Sequence, residues 1–480
     1  MWSDRSGYRI PGRRSQKFAK LPCYCCVKTR IIAVMKKLLI SNARLINEGE
    51  IRDADVLIAG ERIAKIDTNI AAAEGVEVID AQGRYLMPGM IDDQVHFREP
   101  GLTNKGDLAT ESAAAAAGGI TSFMDMPNVN PQTTTREALA DKYRVAQDRC
   151  TANYGFYLGG TNRNIEEIKQ LELGDACGIK VFMGASTGDM LVDDPAVLEQ
   201  VFEHAPVIVV THCEHSPTIW ENEAHAKKKY GEHVPMSEHP NIRSANACLN
   251  SSSMAVDLAR RHDALLHVLH LTTAIEMGLF SKAHRSEKRI TAEVCVHHLW
   301  FDESRYEELG ARIKCNPAIK SAKDREGLIK ALNEGRIDIV ATDHAPHTAG
   351  EKTRTYFKAP AGLPLVQHAL QALFDLAASG QISPELLVDR SCHAPADIFG
   401  VRDRGYVREG YFADLVVVDS NKAYKVDRSN VLFKCGWSPF EGHVFSSSID
   451  TTIVNGEVVF RDGELTGVVA GQKLEFNRSR

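Results

Sequence analysis

At 480 residues, with 44% hydrophobic and 25% charged side chains, the chain has an ordinary globular composition and enough length for an extensive core. Its formal net charge of −6 gives no reason to expect a nucleic-acid partner, and no apolar run is long enough to cross a membrane as a helix. The eleven cysteines form no repeated C-x-x-C pairs, which argues against a disulfide framework and for a reducing cytoplasm.

The first 34 residues stand apart. They carry eight Lys or Arg against the single acid Asp4, a local charge of +7 that leaves −13 on the rest (−6 less +7). They also hold Cys23, Cys25 and Cys26, too few and too close for a metal knuckle. Ile31-Ile32-Ala33-Val34 is too short for a signal-peptide core. Residues 1–34 are therefore expected to be a disordered or spurious extension, with ordered sequence starting at Met35.

Residues 35–87 hold short alternating apolar segments punctuated by Gly60 and Gly75, which predicts a small antiparallel β unit. From 88 to 400 the pattern changes. Strand-like segments at 90–97, 120–126, 153–159, 178–184, 207–212, 264–271, 290–297 and 337–343 alternate with helix-like stretches such as Gly106 to Ala117 and Ser244 to Arg261. Eight such strands point to an α/β fold closed as a (β/α)8 TIM-type barrel, with an open doubly wound sheet as the alternative. No G-x-G-x-x-G turn marks a dinucleotide site. Over 401–480 strand signals return, with Asn455-Gly456 reading as a hairpin turn. The two β ends are expected to join in one small β-sandwich domain beside the barrel.

The polar residues fall where a barrel places its chemistry, at the C-terminal strand ends. In Ile91-Asp92-Asp93-Gln94-Val95-His96-Phe97-Arg98, strand alternation predicts that Asp92, Gln94, His96 and Arg98 share a face. Further strands end with His212, His270 and Asp343, and Lys180 lies within the strand Gly178 to Gly184. Singly, each His reads as a boundary residue, Asp343 as a helix cap and Lys180 as a strand-edge lysine. Together, three His, one Asp and a buried Lys on five strands are what a hydrolytic metal centre uses.

Asp93-Gln94-Val95-His96-Phe97-Arg98-Glu99-Pro100-Gly101, Met126-Pro127-Asn128, Thr211-His212-Cys213-Glu214, Leu269-His270-Leu271-Thr272-Thr273, Thr342-Asp343-His344-Ala345-Pro346-His347 and Lys434 to Gly442 resemble, in order and spacing, the amidohydrolase superfamily. Within it they resemble the dihydroorotase family. The resemblance implies zinc, two ions per chain. His96 and Asp343 would hold one, His212 and His270 the other, and Lys180, carboxylated by carbon dioxide, would bridge them. Asp343 would serve as general base and then acid. Arg98, Asn128 and His347 would hold the substrate carboxylate, with Asn316 and Gly362 at the ring. The departure is Gln94, where the family pattern has His. It leaves three outcomes open: two metals with Gln94 as a weak ligand or outside the coordination sphere, one metal, or a degenerate site.

The implied reaction interconverts dihydroorotate and N-carbamoyl-aspartate in pyrimidine synthesis. Alternatives are a hydantoinase- or allantoinase-like cyclic amidase and a non-catalytic scaffold subunit. The expected partner is a small-molecule substrate, without nucleic acid or membrane, and family analogy suggests a homodimer.

Overall fold

The structure, a computed structural model, describes residues 36–184 and 190–478. The segment 1–34, with Cys23, Cys25 and Cys26, lies outside the described residues. All eight expected barrel strands form, trimmed at their ends: Met90–Val95, Ile120–Asp125, Asn153–Phe156 continued by Leu158–Gly159, Ile179–Phe182, Val209–His212, Leu266–Val268, Ile290–Cys295 and Ile339–Ala341. Neighbours pair in parallel around the ring. The last strand meets the first where Val95 bridges His344 in parallel and the His96 N–H donates to His344 O at 2.7 Å.

Alternation along the strands serves two cores. Met90, Phe123, Val181 and Val209 pack with the surrounding helices, whereas Ile91, Met124, Val210 and Ile339 fill a separate core with Phe399 and Leu474. Cover on both faces gives these strands apolar runs interrupted by a few buried polar residues, which is why they were legible as buried parallel strands. The helix Leu108–Ala117 starts at an Asp107 cap, whose side chain accepts from the Thr110 N–H.

The chain ends combine in a single nine-stranded sheet. Lys37–Asn47, Glu50–Ala59 and Arg62–Asp67 are antiparallel neighbours. Glu77–Asp80 and Tyr85–Pro88 instead run parallel to Lys37–Asn47, which corrects the expectation of a purely antiparallel unit. The chain after Asp67 crosses over before it re-enters the sheet, so Glu77–Asp80 keeps the direction of Arg62–Asp67, where a hairpin would have reversed it. Leu415–Asp419 then pairs with Tyr85–Pro88, and Ser448–Val454 and Glu457–Arg461 extend the sheet through Asn455 and Gly456, both at positive φ (51° and 77°). Val56, Ile58, Leu86, Leu415 and Val417 share one core; Met87, Val416 and Val418 on the opposite face join the barrel's.

A buried polar network ties the sheet to the barrel. Asp414 accepts from Arg404 and, at 3.0 Å, from Asn153 of the third barrel strand; Arg404 also donates to Asn455 at 2.8 Å, and Asn455 to Asn153 at 2.7 Å. Arg404→Met would leave Asp414 buried without its cation. It is expected to cost about 3–5 kcal/mol of stability in denaturant unfolding; a loss below about 1 kcal/mol would show that the pair is dispensable.

Candidate metal centre and substrate pocket

At the C-terminal mouth of the barrel lies a cavity of about 220 Å³. Every site residue named from the sequence lines it: Gln94, His96, Arg98, Asn128, Lys180, His212, His270, Asn316, Asp343, His347 and Gly362. Phe182, Ala345, Pro360 and Ala361 complete the wall.

Irregular backbone aims these side chains. The first strand ends at Val95, and its register breaks between Asp92 and Val95. Arg98, His270 and Asp343 take left-handed φ values of 69°, 38° and 47°, a strain of about 1–2 kcal/mol each for residues with a Cβ. The turns swing side chains from strand ends into the mouth. The same break corrects one expectation: Asp92 does not share the pocket face. Its carboxylate accepts from the Thr342 hydroxyl at 2.6 Å and the Thr342 N–H at 3.1 Å, within the strand junction.

Two pairs of ligand-type atoms converge. His96 Nδ1 lies 2.8 Å from Asn128 Oδ1, which can only accept, so a neutral ring turns its Nε2 lone pair towards Asp343 Oδ1, 3.0 Å away. His212 Nε2 donates to Glu214 at 2.9 Å, so its Nδ1 lone pair faces His270 Nε2 at 3.0 Å. Burial pushes both His212 and His270 towards the neutral form. The His96 and Asp343 lone pairs, facing each other at this spacing, repel unless a cation lies between them. His270, whose Nδ1 has no partner among the described residues, is free to carry its proton there and turn an Nε2 lone pair to the same point as His212 Nδ1. Two donors on one tetrahedral zinc sit about 3.3 Å apart. The residues present therefore fit a metal at each pair. Lys180 is 1% exposed, and burial lowers its ammonium to about 8 against the opposing pull of Asp343 and Glu293. Gln94 donates from Nε2 to Asp343 Oδ1 at 3.2 Å and turns its oxygen to the Cys295 thiol at 3.9 Å.

The other side of the pocket is cationic. Arg98 is 7% exposed, and burial lowers its guanidinium to about 10. It donates to Pro346 O at 3.1 Å and lies 3.2 Å from His347 Nε2, with no carboxylate at ion-pair distance among the described residues. His347 is held neutral by burial and by the cations Arg98, Lys105 and Lys352. Lys105 donates to its Nδ1 at 3.0 Å, which leaves Nε2–H as a donor, now resting on Ala361 O at 3.0 Å. Because Asn128 spends its oxygen on His96, its amide nitrogen is also left as a donor.

The chain is similar to known proteins over most of its length. The amidohydrolase family model matches residues 85–459. A dihydroorotase of Methanosarcina acetivorans is 32% identical over 461 residues, which covers 93% of this chain and 97% of that protein. A dihydroorotase of Bacillus cytotoxicus is 33% identical, covering 88% and 98%. The chain belongs to the amidohydrolase family, among the dihydroorotases. Of the solved structures, an L-hydantoinase (dihydropyrimidinase) from Arthrobacter aurescens superposes with a TM-score of 0.87 at 28% identity, covering 92% of this chain and all of that one.

This amidohydrolase site rests on residues to which the sequence assigned no role. Glu214, though part of a quoted motif, had no function; the structure shows it holding His212 and paired with Arg243. Burial raises its carboxyl, but Arg243 and His212 outweigh that and hold it down to about 2. Lys352 donates to Pro360 O at 2.9 Å and Gly362 O at 2.8 Å, fixing the turn that walls the pocket. Trp437 donates to His347 O at 2.8 Å. Lys352 and Trp437 meet their partners only through the folded chain, whereas Glu214 stands two residues from His212, a spacing that could have marked it. Glu214→Gln is expected to weaken metal affinity about 10–100-fold, read by chelator competition, because the His212 ring loses its anchor. Unchanged affinity would leave Glu214 with a purely structural role.

Proposed function

We propose that the protein is a zinc-dependent dihydroorotase that interconverts dihydroorotate and N-carbamoyl-aspartate. The observation that carries this reading is Arg98, a buried guanidinium without a carboxylate partner among the described residues, placed beside the His–Lys–Asp cluster. A buried cation calls for an anion, and its planar fork suits a carboxylate. Arg98, the Asn128 amide and His347 Nε2–H together make a three-donor cradle for the substrate carboxylate. Asn316, whose buried Oδ1 has no partner, is set to accept from a ring N–H. A hydantoinase-type substrate has no carboxylate at this position and would leave Arg98 unpaired.

His96 and Asp343 would hold one zinc, His212 and His270 a second, with Lys180 as a bridging carbamate. Lys180 suits that role because its lowered basicity keeps part of the amine neutral and nucleophilic towards carbon dioxide near neutral pH. Gln94 lies beside Asp343 as a hydrogen-bond donor, which supports the reading that it stays outside the coordination sphere. Bound zinc supplies acidification of water and Lewis acidity towards the amide carbonyl. The protein's own part is proton transfer and orientation. Asp343 takes the proton of the attacking water as its oxygen bonds to the ring carbonyl carbon. As the C–N bond breaks, Asp343 returns that proton to the departing nitrogen. Ring closure runs the same steps in reverse and releases water. The free, mostly buried cysteines among the described residues support a reducing, cytoplasmic setting.

Arg98→Ala is expected to raise KM for dihydroorotate about 10–100-fold and to change turnover of dihydrouracil, a neutral cyclic amide, far less. Equal losses on both substrates would remove the carboxylate role. Lys180→Ala is expected to lower the zinc content of the purified protein, and an unchanged metal count would rule out the bridge.

A further inference from the structure

Beneath the pocket, inside the barrel, Asp93, His267 and Glu293 face one another, each 0% exposed. They come from three different strands: Met90–Val95, Leu266–Val268 and Ile290–Cys295. Their ligand-type atoms all lie within 4.8 Å of one another. Among the described residues, neither oxygen of Asp93 has a hydrogen-bond partner, and Glu293 Oε2 and His267 Nε2 have none either. Four orphaned polar atoms around one point in a dry interior are rare in folded proteins.

The hydrogen bonds around the cluster show what is missing. Thr291 donates its hydroxyl proton to Leu266 O at 3.3 Å, so its oxygen accepts from His267 Nδ1–H at 2.8 Å. A neutral His267 therefore turns the Nε2 lone pair onto the carboxylates. Such an outer hydrogen bond, fixing tautomer and ring direction, is the usual support of a metal-bound histidine. Glu293 Oε1 is occupied by the His270 N–H at 2.9 Å and the Cys295 thiol at 3.4 Å, which leaves Oε2 free to point inward. Tyr157 spends its hydroxyl on Asp93 O at 2.8 Å and not on the carboxylate.

An extra proton on His267 is the competing explanation, and the pull of the carboxylates raises its imidazolium against the cost of burial, to about 9. Geometry argues against a proton alone. Nε2 lies 3.3 Å from Asp93 Oδ2 and 3.8 Å from Glu293 Oε2, beyond the roughly 2.7–2.9 Å of a charge-assisted hydrogen bond. One N–H also cannot satisfy three carboxylate oxygens. Separations of this size suit donor atoms sharing one ion with metal–ligand bonds of about 2.0–2.2 Å. Two carboxylates and one imidazole favour a borderline divalent ion over a soft one.

We infer that Asp93, His267 and Glu293 form an interior binding site for a divalent cation of the zinc or manganese type, separate from the pocket centre. The ion would cross-link three barrel strands and neutralise the paired carboxylates, and it would enter during folding because the site is closed. The inference does not depend on the activity proposed above.

The test is anomalous diffraction at the zinc and manganese edges on full-length protein expressed with each metal. The expected result is a peak about 2.0–2.3 Å from Asp93, His267 Nε2 and Glu293 Oε2, which persists in Lys180→Ala. Elemental analysis should find one ion per chain fewer in His267→Asn than in the parent protein. If that variant does not fold, the parent map decides. A water molecule or no density at that point, at both edges, would overturn the site whatever the pocket contains.

Discussion

Closure of the barrel between its first and last strands is the constraint on which the rest depends. The His96 N–H reaches His344 O, and Asp92 takes both the N–H and hydroxyl of Thr342. The seam is locked from outside by His344 itself, whose Nε2 lies 2.8 Å from Glu111 and whose Nδ1 accepts from the Leu365 N–H at 2.9 Å. Burial holds that ring towards its neutral form, which allows one nitrogen to donate while the other accepts. The seam sets His96 3.0 Å from Asp343, 247 residues later in the chain.

The pocket is divided by charge. On one side, His212 and His270, pushed towards the neutral form by burial, stand with His96 and Asp343 around the centre. On the other, Arg98 keeps its charge with only neutral groups against its head. Lys105 connects the second side to the outer wall, since it pairs with Glu351 at 2.9 Å while fixing the tautomer of His347. The division suits a substrate with an electrophilic carbonyl at one end and a carboxylate at the other. The left-handed turns at Arg98, His270 and Asp343 are the backbone cost of pointing both sets into one small cavity.

The eight barrel strands could be read from the sequence because cover on both faces gives them apolar runs, broken only by a few buried polar groups such as Asp93, Lys180 and Glu293. The Asn455-Gly456 hairpin could be read because both positions require positive φ. The direction of Glu77–Asp80 and Tyr85–Pro88 could not, since a short strand carries the same alternation whether it runs parallel or antiparallel. Asp92 was misplaced for a related reason: alternation assumes a regular strand, and a register break leaves no mark in residue type.

The sequence by itself determined which chemical groups stand at the strand ends, because strand period and barrel topology fix where a polar residue after an apolar run must emerge. The tertiary structure alone decided how those groups are oriented. The anchoring of His212 by Glu214, the setting of His347 by Lys105 and the turning of Gln94 onto Asp343 are contacts between residues up to 249 apart. The meeting of Asp93, His267 and Glu293 in the barrel interior belongs with them. Their spacing along the chain says nothing of it, because a hydrogen bond or a shared cation depends on distances that exist only after the ring of strands has closed.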